Sequence, residues 1–399
     1  MRVVILGAGA VGLGFMGDLL SRTGEEMVFA DINSVLVESL NRHGACTISK
    51  ASLKEIRPLT VTGVEAVDSG QAEGRDRLGP ELAGADFAIT SVGARVLPLI
   101  GRLIAELARK GFRRETPLNI LCCENHRDAA GLLHDSLAER LGPEETKARF
   151  ACVNTVVGRM CQLLTHGERD LPTVTPDVDQ VFLVEDYDPF PVDAGAWRGP
   201  LPPMAHLEGV PTPQFEAYEH RKLYAHNGVH ALLAMLGKLR GYQFFYEAGR
   251  DSELDAIGRR GMWEEMSAAL VRAHPSYFTE ERMGAFADDL YARLVNPVFT
   301  DEIDRGMRDT LRMVRPEDGR LSGAALFVAG QGYEPRAMCL GVAGALRDNG
   351  MDLEGLEEAL AEAEPHAAEV VRALTAQALE AVDAEAQGQR GALGEFVFH

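Results

Sequence analysis

The sequence predicts an α/β chain in which a doubly wound, mostly parallel sheet comes first and a mostly α-helical domain follows. Three observations carry this expectation. Short apolar runs alternate with helical patterns up to about residue 160, a glycine-rich turn joins the first run to the first helix, and helical periodicity dominates from Phe215 onward.

Residues 3–6, "VVIL", read as a short buried strand that ends in "GAGAVGLGF". An amphipathic stretch follows, with Phe15, Leu19 and Leu20 at helical spacing, and then a second buried strand in "MVFADIN". Strand, glycine turn, helix and strand make a βαβ unit. Residues 45–62 read as a short additional β excursion. Further apolar runs at 86–92 ("DFAITSV"), 118–124 ("LNILCCE") and 150–157 ("FACVNTVV") alternate with helical patterns near 96–110 and 127–140. From about 160 a β-rich extension begins, in which "TVTPDVDQVFLVED" supplies one or two strands. Seven prolines between 187 and 213 mark a loop-rich bridge, so we expect domains at 1–213 and 214–399. In the second, helices are expected near 215–248, 251–273, 279–294, 301–313, 335–348 and 353–386, the last on the outside and solvated.

Composition excludes several classes of function. Sixty acidic against forty basic residues give a formal charge of −20, which repels nucleic-acid backbones and anionic membranes. No run approaches the ~18 apolar residues of a membrane span. Only four apolar residues separate Arg2 from Gly7, which makes a strand and not a signal peptide. Cys46, Cys122, Cys123, Cys152, Cys161 and Cys339 show no CxxC spacing and read as reduced core thiols, Cys122 and Cys123 pointing to opposite faces of a strand. A cytoplasmic chain, monomeric or homodimeric, is expected.

"GAGAVG" fits G-x-G-x-x-G with Gly7, Gly9 and Gly12, and it stands between a strand and a helix, as the chemistry requires. The first glycine permits the tight turn, the second lets backbone approach a pyrophosphate, and the third lets helix and strand pack closely. The loop residues Gly7, Ala8, Gly9, Ala10, Val11 and Gly12 are thus the candidate dinucleotide cradle, with the helix N-terminus turned to the phosphates. Asp31 ends the second strand, where a carboxylate bonds ribose hydroxyls and repels a 2′-phosphate. A Rossmann-type domain and NAD, rather than NADP, are expected.

The stretch "FEAYEHRKLYAHNGVHALLAMLGKL" contains Lys222, then Asn227 and His230. With Lys222 at zero on an α-helix, Glu219 falls near ~60°, His230 near ~80° and Asn227 near ~140°. His226, near ~40°, and His220, near ~160°, share the arc, so periodicity does not choose among the histidines. Hydride transfer from a secondary alcohol needs a base for the hydroxyl proton and donors for the developing oxyanion. No Cys/His spacing suits zinc. A lysine replaces the metal where burial or a neighbouring cation makes its neutral form accessible. Asn227 is then an oxyanion donor, His230 a contact for a second hydroxyl or an orienting group for the lysine, and Glu219 a proton relay. The competing reading is a polar, solvated helix face.

Lys, four residues, Asn, two residues and His resembles the signature of the long-chain, metal-independent polyol dehydrogenases. Further resemblances span most of the chain: "GAGAVGLGFMGDLL", "FADIN", "PLNILCCEN" and "RDTLRMVRPEDGRL". The resemblance implies Lys222 as general acid/base, Asn227 and Asn125 as oxyanion donors, His230 as a substrate contact and Glu219 in proton movement. It also adds Asn33, Val92 and Glu124 to the cofactor site. Arg308, Arg312 and Arg320 become a candidate anion clamp, since arginine donates a planar fork to phosphate. The alternative is surface arginines paired with Asp301, Asp304, Asp309 and Asp318. The implied substrate is a linear sugar alcohol or sugar phosphate, with mannitol 1-phosphate and fructose 6-phosphate the leading pair. An unphosphorylated polyol, a hexuronate and a cyclitol phosphate are the alternatives.

There are departures from the family pattern. Gly158 stands where the family has an acid, with Arg159 kept beside it. His126 follows Asn125, Met313 stands where a lysine is common, and Gly319 looks inserted. Ketopantoate reductases and β-hydroxyacid dehydrogenases share the general build, but the His230 spacing and the Glu124-Asn125 segment argue against them. An NAD-binding sensor without turnover has only Gly158 in its favour.

Overall fold

A computed structural model describes residues 1–204, 206–316 and 319–399. The chain divides into two units, Met1–Glu216 and Ala217–His399.

In the first unit the strands are β1 (Arg2–Leu6), β2 (Glu26–Asp31), β3 (Ala45–Ala51), β4 (Ile56–Thr62), β5 (Val64–Asp68), β6 (Phe87–Thr90), β7 (Leu118–Cys122), β8 (Phe150–Asn154), β9 (Cys161–Thr165), β10 (Gln180–Glu185), β11 (Phe190–Asp193) and β12 (Leu207–Val210). Six of them form one sheet in the order β5-β2-β1-β6-β7-β8, parallel throughout. The order reverses at β1, which places the crevice for a ligand beyond the carboxyl ends of β1 and β6. Alternate residues bury on opposite faces: Val3, Ile5 and Cys123 join one core, and Val4, Leu6 and Cys122 the other. The adjacent cysteines therefore face apart, and all six are free thiols.

The expected β excursion forms the β3–β4 hairpin of a second sheet, ordered β4-β3-β10-β9. It covers the helix that follows the glycine turn. That helix, a π segment Gly12–Gly17 running into Asp18–Ser21, is not amphipathic as its spacing suggests; every residue from Gly12 to Leu20 is buried. A side chain at Gly14 would meet Val184 at 2.8 Å, so glycine lets β10 lie against it. The proline-rich bridge is not wholly loop, since β11 and β12 pair within it. The sequence reading passed over β5 and the helix Ala72–Gly84, whose glycines and internal Pro80 disguise its buried Leu78 and Leu82.

The second unit is helical. The helix that enters it starts within the first unit as Thr212–His220, continues as a π segment Arg221–Gly228, and ends as Val229–Leu239. It does not reach 248; the chain turns at Gly241 (φ 75°) and restarts as Phe245–Ala248. The expected helix at 301–313 is also broken. A single turn Ile303–Gly306 and a 3-10 turn Thr310–Val314 flank Asp309, whose φ of 59° no α-helix accommodates. Residues 353–386 form three pieces, with Pro365 opening the long one, Pro365–Ala386. That helix is not simply solvated: Val371, Leu374, Ala378 and Val382 are buried, and it packs on Arg336–Asp348 and Ser322–Gly330. Ser322–Gly330 and Ala392–Phe398 are helices that the pattern did not suggest. Among the described residues no helix is long and apolar enough to cross a membrane.

One buried acid in this unit makes stability depend on pH. Glu265, on a π segment Arg260–Ser267, accepts the backbone N–H groups of Ala337 (2.7 Å) and Met338 (3.1 Å) at the start of Arg336–Asp348. Burial pushes its carboxyl up from 4.5 to about 7, although these donors oppose the shift. The folded state thus favours the protonated acid, and stability declines as pH rises from the usual carboxylate range through 7. At about 1.4 kcal/mol per unit, the stability of Glu265→Gln relative to wild type should grow by roughly 3 kcal/mol between pH 4 and 8. Urea midpoints at several pH values measure this; parallel profiles for the two proteins would remove Glu265 as the source.

Candidate active site

In the first unit the glycine turn has the shape that a pyrophosphate cradle needs. Gly7 has φ 105°, and a Cβ there would lie 2.6 Å from the Ser91 carbonyl oxygen. A Cβ on Gly12 would lie 2.0 Å from the carbonyl oxygen of Gly7, so helix and turn approach as only glycine allows. A Cβ on Gly9 would meet nothing within 4 Å, which leaves backbone open to a ligand. Asp31 ends β2 with its carboxylate accepting the backbone N–H groups of Ala8 (2.8 Å) and Asn33 (2.9 Å), so it ties the turn to the strand end. A carboxylate offers about four lone-pair sites, enough for ribose hydroxyls as well. Asn33 caps the helix Ser34–His43, its amide oxygen accepting from Leu36. These residues fit NAD: backbone at Gly7–Gly12 would hold its phosphates and Asp31 its ribose.

Glu124, just beyond β7, is buried and accepts from Thr90 Oγ1 (2.8 Å) and the Val92 N–H (3.1 Å). Burial raises its carboxyl above the ordinary range, and these two donors partly offset the rise. Glu124 thus fixes Val92 and the end of β6. Asn125 follows it, exposed. His126 turns back on its own loop, its Nδ1 accepting the N–H of Asp128 at 3.1 Å.

Gly158 is buried beneath Tyr187, whose Cε1 would lie 2.7 Å from any Cβ at that position. An acid there would strike the ring. Arg159 is wholly enclosed and donates to the carbonyls of Tyr187 (2.8 Å) and Gly14 (3.1 Å) and to Asp18 (2.8 Å) and Asp188 (2.5 Å). Lys50 and Arg22 share the same two acids.

In the second unit the helix Thr212–Leu239 carries Glu219, Lys222, Asn227 and His230. The π segment changes the reckoning made at 100° per residue, which holds only outside Arg221–Gly228. Lys222 and Asn227 lie five residues apart, the repeat of the π hydrogen bond, and such segments recur at functional sites. Glu219, Lys222 and Asn227 are half-buried. The structure separates the histidines that periodicity could not. His220 bonds His274 (3.1 Å) and stacks on Tyr224. His226 is buried, and its imidazolium is disfavoured first by burial and then by the charges of Lys222 and Arg293. His230 pairs through Nε2 with Asp301 Oδ2 at 2.9 Å.

Gly228 explains how Arg320 arrives near this helix. A Cβ at 228 would lie 2.7 Å from the Arg320 carbonyl oxygen, so glycine admits that segment against the turn holding Asn227. Arg312 and Arg320 are half-buried, and Arg308 is exposed in the turn before Asp309. Asp301, weighed from sequence only as a surface partner for these arginines, is buried and pairs with Arg305. Asp318 lies outside the described residues. Asp301 as the partner of His230 was not found from sequence, because no local spacing links positions 71 apart.

Comparison with known proteins shows the family. Residues 1–190 match the family model of the mannitol dehydrogenase Rossmann domain, and residues 214–383 that of the mannitol dehydrogenase C-terminal domain. The chain is 32% identical over 352 residues to a mannitol-1-phosphate 5-dehydrogenase of Caldanaerobacter subterraneus subsp. tengcongensis, covering 87% of this chain and 86% of that one. Its fold is similar to that of Pseudomonas fluorescens mannitol 2-dehydrogenase, solved with NAD and D-mannitol (TM-score 0.68, 13% identity, 100% of this chain and 94% of that one). It is also similar to a D-sorbitol dehydrogenase solved without substrate (TM-score 0.71, 14% identity, 98% and 94% covered). The chain belongs to the mannitol dehydrogenase family, a family of NAD-dependent polyol dehydrogenases.

Proposed function

We propose that this chain interconverts mannitol 1-phosphate and fructose 6-phosphate with NAD and without a metal, Lys222 acting as general acid/base. The observation that carries this reading is the π segment that holds Lys222 and Asn227 together, one turn before a histidine fixed by a buried aspartate. The name of the relative at 32% identity supports the phosphorylated substrate.

In the oxidative direction neutral Lys222 takes the hydroxyl proton, and Glu219, one turn back, passes it towards water. Asn227 donates its amide hydrogens to the oxygen as charge develops there. Asn125 is assigned the same role by its place in the Glu-Asn segment of the sequence. NAD, when bound, supplies the hydride acceptor. Arg312 and Arg320, with Arg308 at the turn, offer forked donors for the phosphate. Placement in the cytoplasm is supported by the six free thiols.

The test is NADH oxidation with fructose 6-phosphate and, in parallel, with fructose. We expect turnover with the phosphate and little with the free sugar; the reverse would move the chain to free polyols. Arg312→Ala should raise KM for the phosphorylated substrate by about tenfold or more, the loss expected for one charged hydrogen bond, and leave KM for an unphosphorylated analogue nearly unchanged. Equal losses on both would make Arg312 structural.

A further inference from the structure

The geometry points to Asp301 as the positioning residue that makes His230 a hydrogen-bond acceptor for a substrate hydroxyl. The inference rests on the proposed reading of the Lys222 helix but is testable apart from it.

Three contacts lock the imidazole. Asp301 Oδ2 lies 2.9 Å from Nε2. The ring stacks on Phe245 with centroids 4.1 Å apart and planes at 19°. Gly306 closes the edge, where a Cβ would lie 3.1 Å from Cε1 of His230 and 2.9 Å from Phe245 Cζ. Asp301 is itself fixed. It is 2% exposed, its two oxygens take the Arg305 fork at 2.6 and 2.7 Å, and its backbone carbonyl accepts the Phe245 N–H at 3.0 Å. The backbone bridge between Phe244 and Glu302 thus sets the stacking ring and the carboxylate side by side.

The chemistry follows from what a carboxylate does. Paired with Arg305, Asp301 stays ionised, and an ionised carboxylate accepts hydrogen bonds and never donates. Nε2 of His230 must then carry the proton, which leaves the lone pair on Nδ1. A doubly protonated ring is disfavoured first by burial and further by the charges of Arg305 and Lys222, although Asp301 favours it. Asn227, at the end of the π segment, stands three residues before His230 on the same helix. The pair divides the work: the Asn227 amide donates to the reacting oxygen, and Nδ1 accepts from a second hydroxyl. A polyol carries such a hydroxyl on the neighbouring carbon, and a simple secondary alcohol does not.

The first measurement needs no activity. Histidine in the full chain is labelled with 15N, and His230 is assigned by its loss in His230→Gln. The expected result near neutral pH is a protonated Nε2 and an unprotonated Nδ1, with Asp301→Asn mixing the two tautomers. Protonation at Nδ1 in the wild type, or an unaltered pattern in Asp301→Asn, would overturn the assignment. The second measurement is kinetic. Asp301→Asn should lower kcat/KM for the polyol by up to about 100-fold, the loss of one buried hydrogen bond to substrate, and leave NADH affinity unchanged. Combined with His230→Ala it should cost nothing beyond His230→Ala alone. Independent, additive losses would show that Asp301 does not act through His230. Silence with every polyol alongside the expected tautomer would sink the functional reading and leave the Asp301–His230 device standing.

Discussion

Lys222→Ala is expected to lower kcat by about a thousandfold or more, the upper part of the range for a positioned acid/base. NADH affinity should survive, because the glycine turn and Asp31 belong to the first unit and Lys222 to the second. The cost to the fold should be small, since Lys222 is only half-buried and alanine is the best helix former. Lys222→Arg supplies the sharper control. A guanidinium keeps the charge but stays protonated at any working pH, so it cannot take the hydroxyl proton. If the lysine served only as a fixed positive charge, arginine would restore much of the rate. If it moves a proton, both variants should fail alike. Near-normal turnover in Lys222→Ala would remove the assignment of Lys222 and pass the role to another group on the helix.

The parts legible in the sequence are those written in local pattern. The β1–turn–helix–β2 unit, the parallel strands and the helix carrying Lys222 all announce themselves within a few residues. Gly7 and Gly12 were legible because part of their reason is local: Gly7 turns with φ 105°, and Gly12 packs against the carbonyl of Gly7 more closely than a side chain permits. What stayed hidden is set by tertiary context. Helical periodicity cannot reveal that Arg221–Gly228 widens into a π turn, nor that Asp309 adopts φ 59° and ends a helix there. The Pro365–Ala386 helix looked solvated because alanine and glutamate are frequent along it, and they mask the buried Val371, Leu374, Leu379 and Val382. Partners distant in sequence were invisible: His230 with Asp301, and Lys50 with Asp188, 138 positions away. The Gly158 departure read as a missing acid. The structure shows a position filled by Tyr187, beside an Arg159 whose work lies elsewhere.

That work motivates the second large effect. Arg159→Ala should destabilise the first unit by about 3–5 kcal/mol, the usual result of removing one partner from a buried ionic cluster. Asp18 is fully buried, and Arg159 gives it an ion pair while also donating to the Gly14 carbonyl of the helix behind the glycine turn. Lys50 at 3.3 Å and Arg22 remain, so Asp18 is not wholly abandoned, but neither of them replaces the bonds to Gly14 and Tyr187. Arg159→Lys should recover little, since a single ammonium cannot span four acceptors. The pH dependence gives a signature. Burial alone would raise the Asp18 carboxyl, but Arg22, Arg159 and Lys50 outweigh it and hold it below the ordinary range; the same contest lowers Asp188. Groups with depressed values contribute stability above the unfolded carboxylate pKa of about 4 and lose it as pH falls through the folded value. The gap between wild type and Arg159→Ala should therefore be widest at neutral pH and narrow in acid. NADH identifies the relevant transition, because a ligand of the first unit raises its melting point by mass action. A variant whose NADH-sensitive transition is unmoved at neutral pH would show that Lys50 and Arg22 suffice, and that Arg159 is not what fixes the helix behind the cofactor turn.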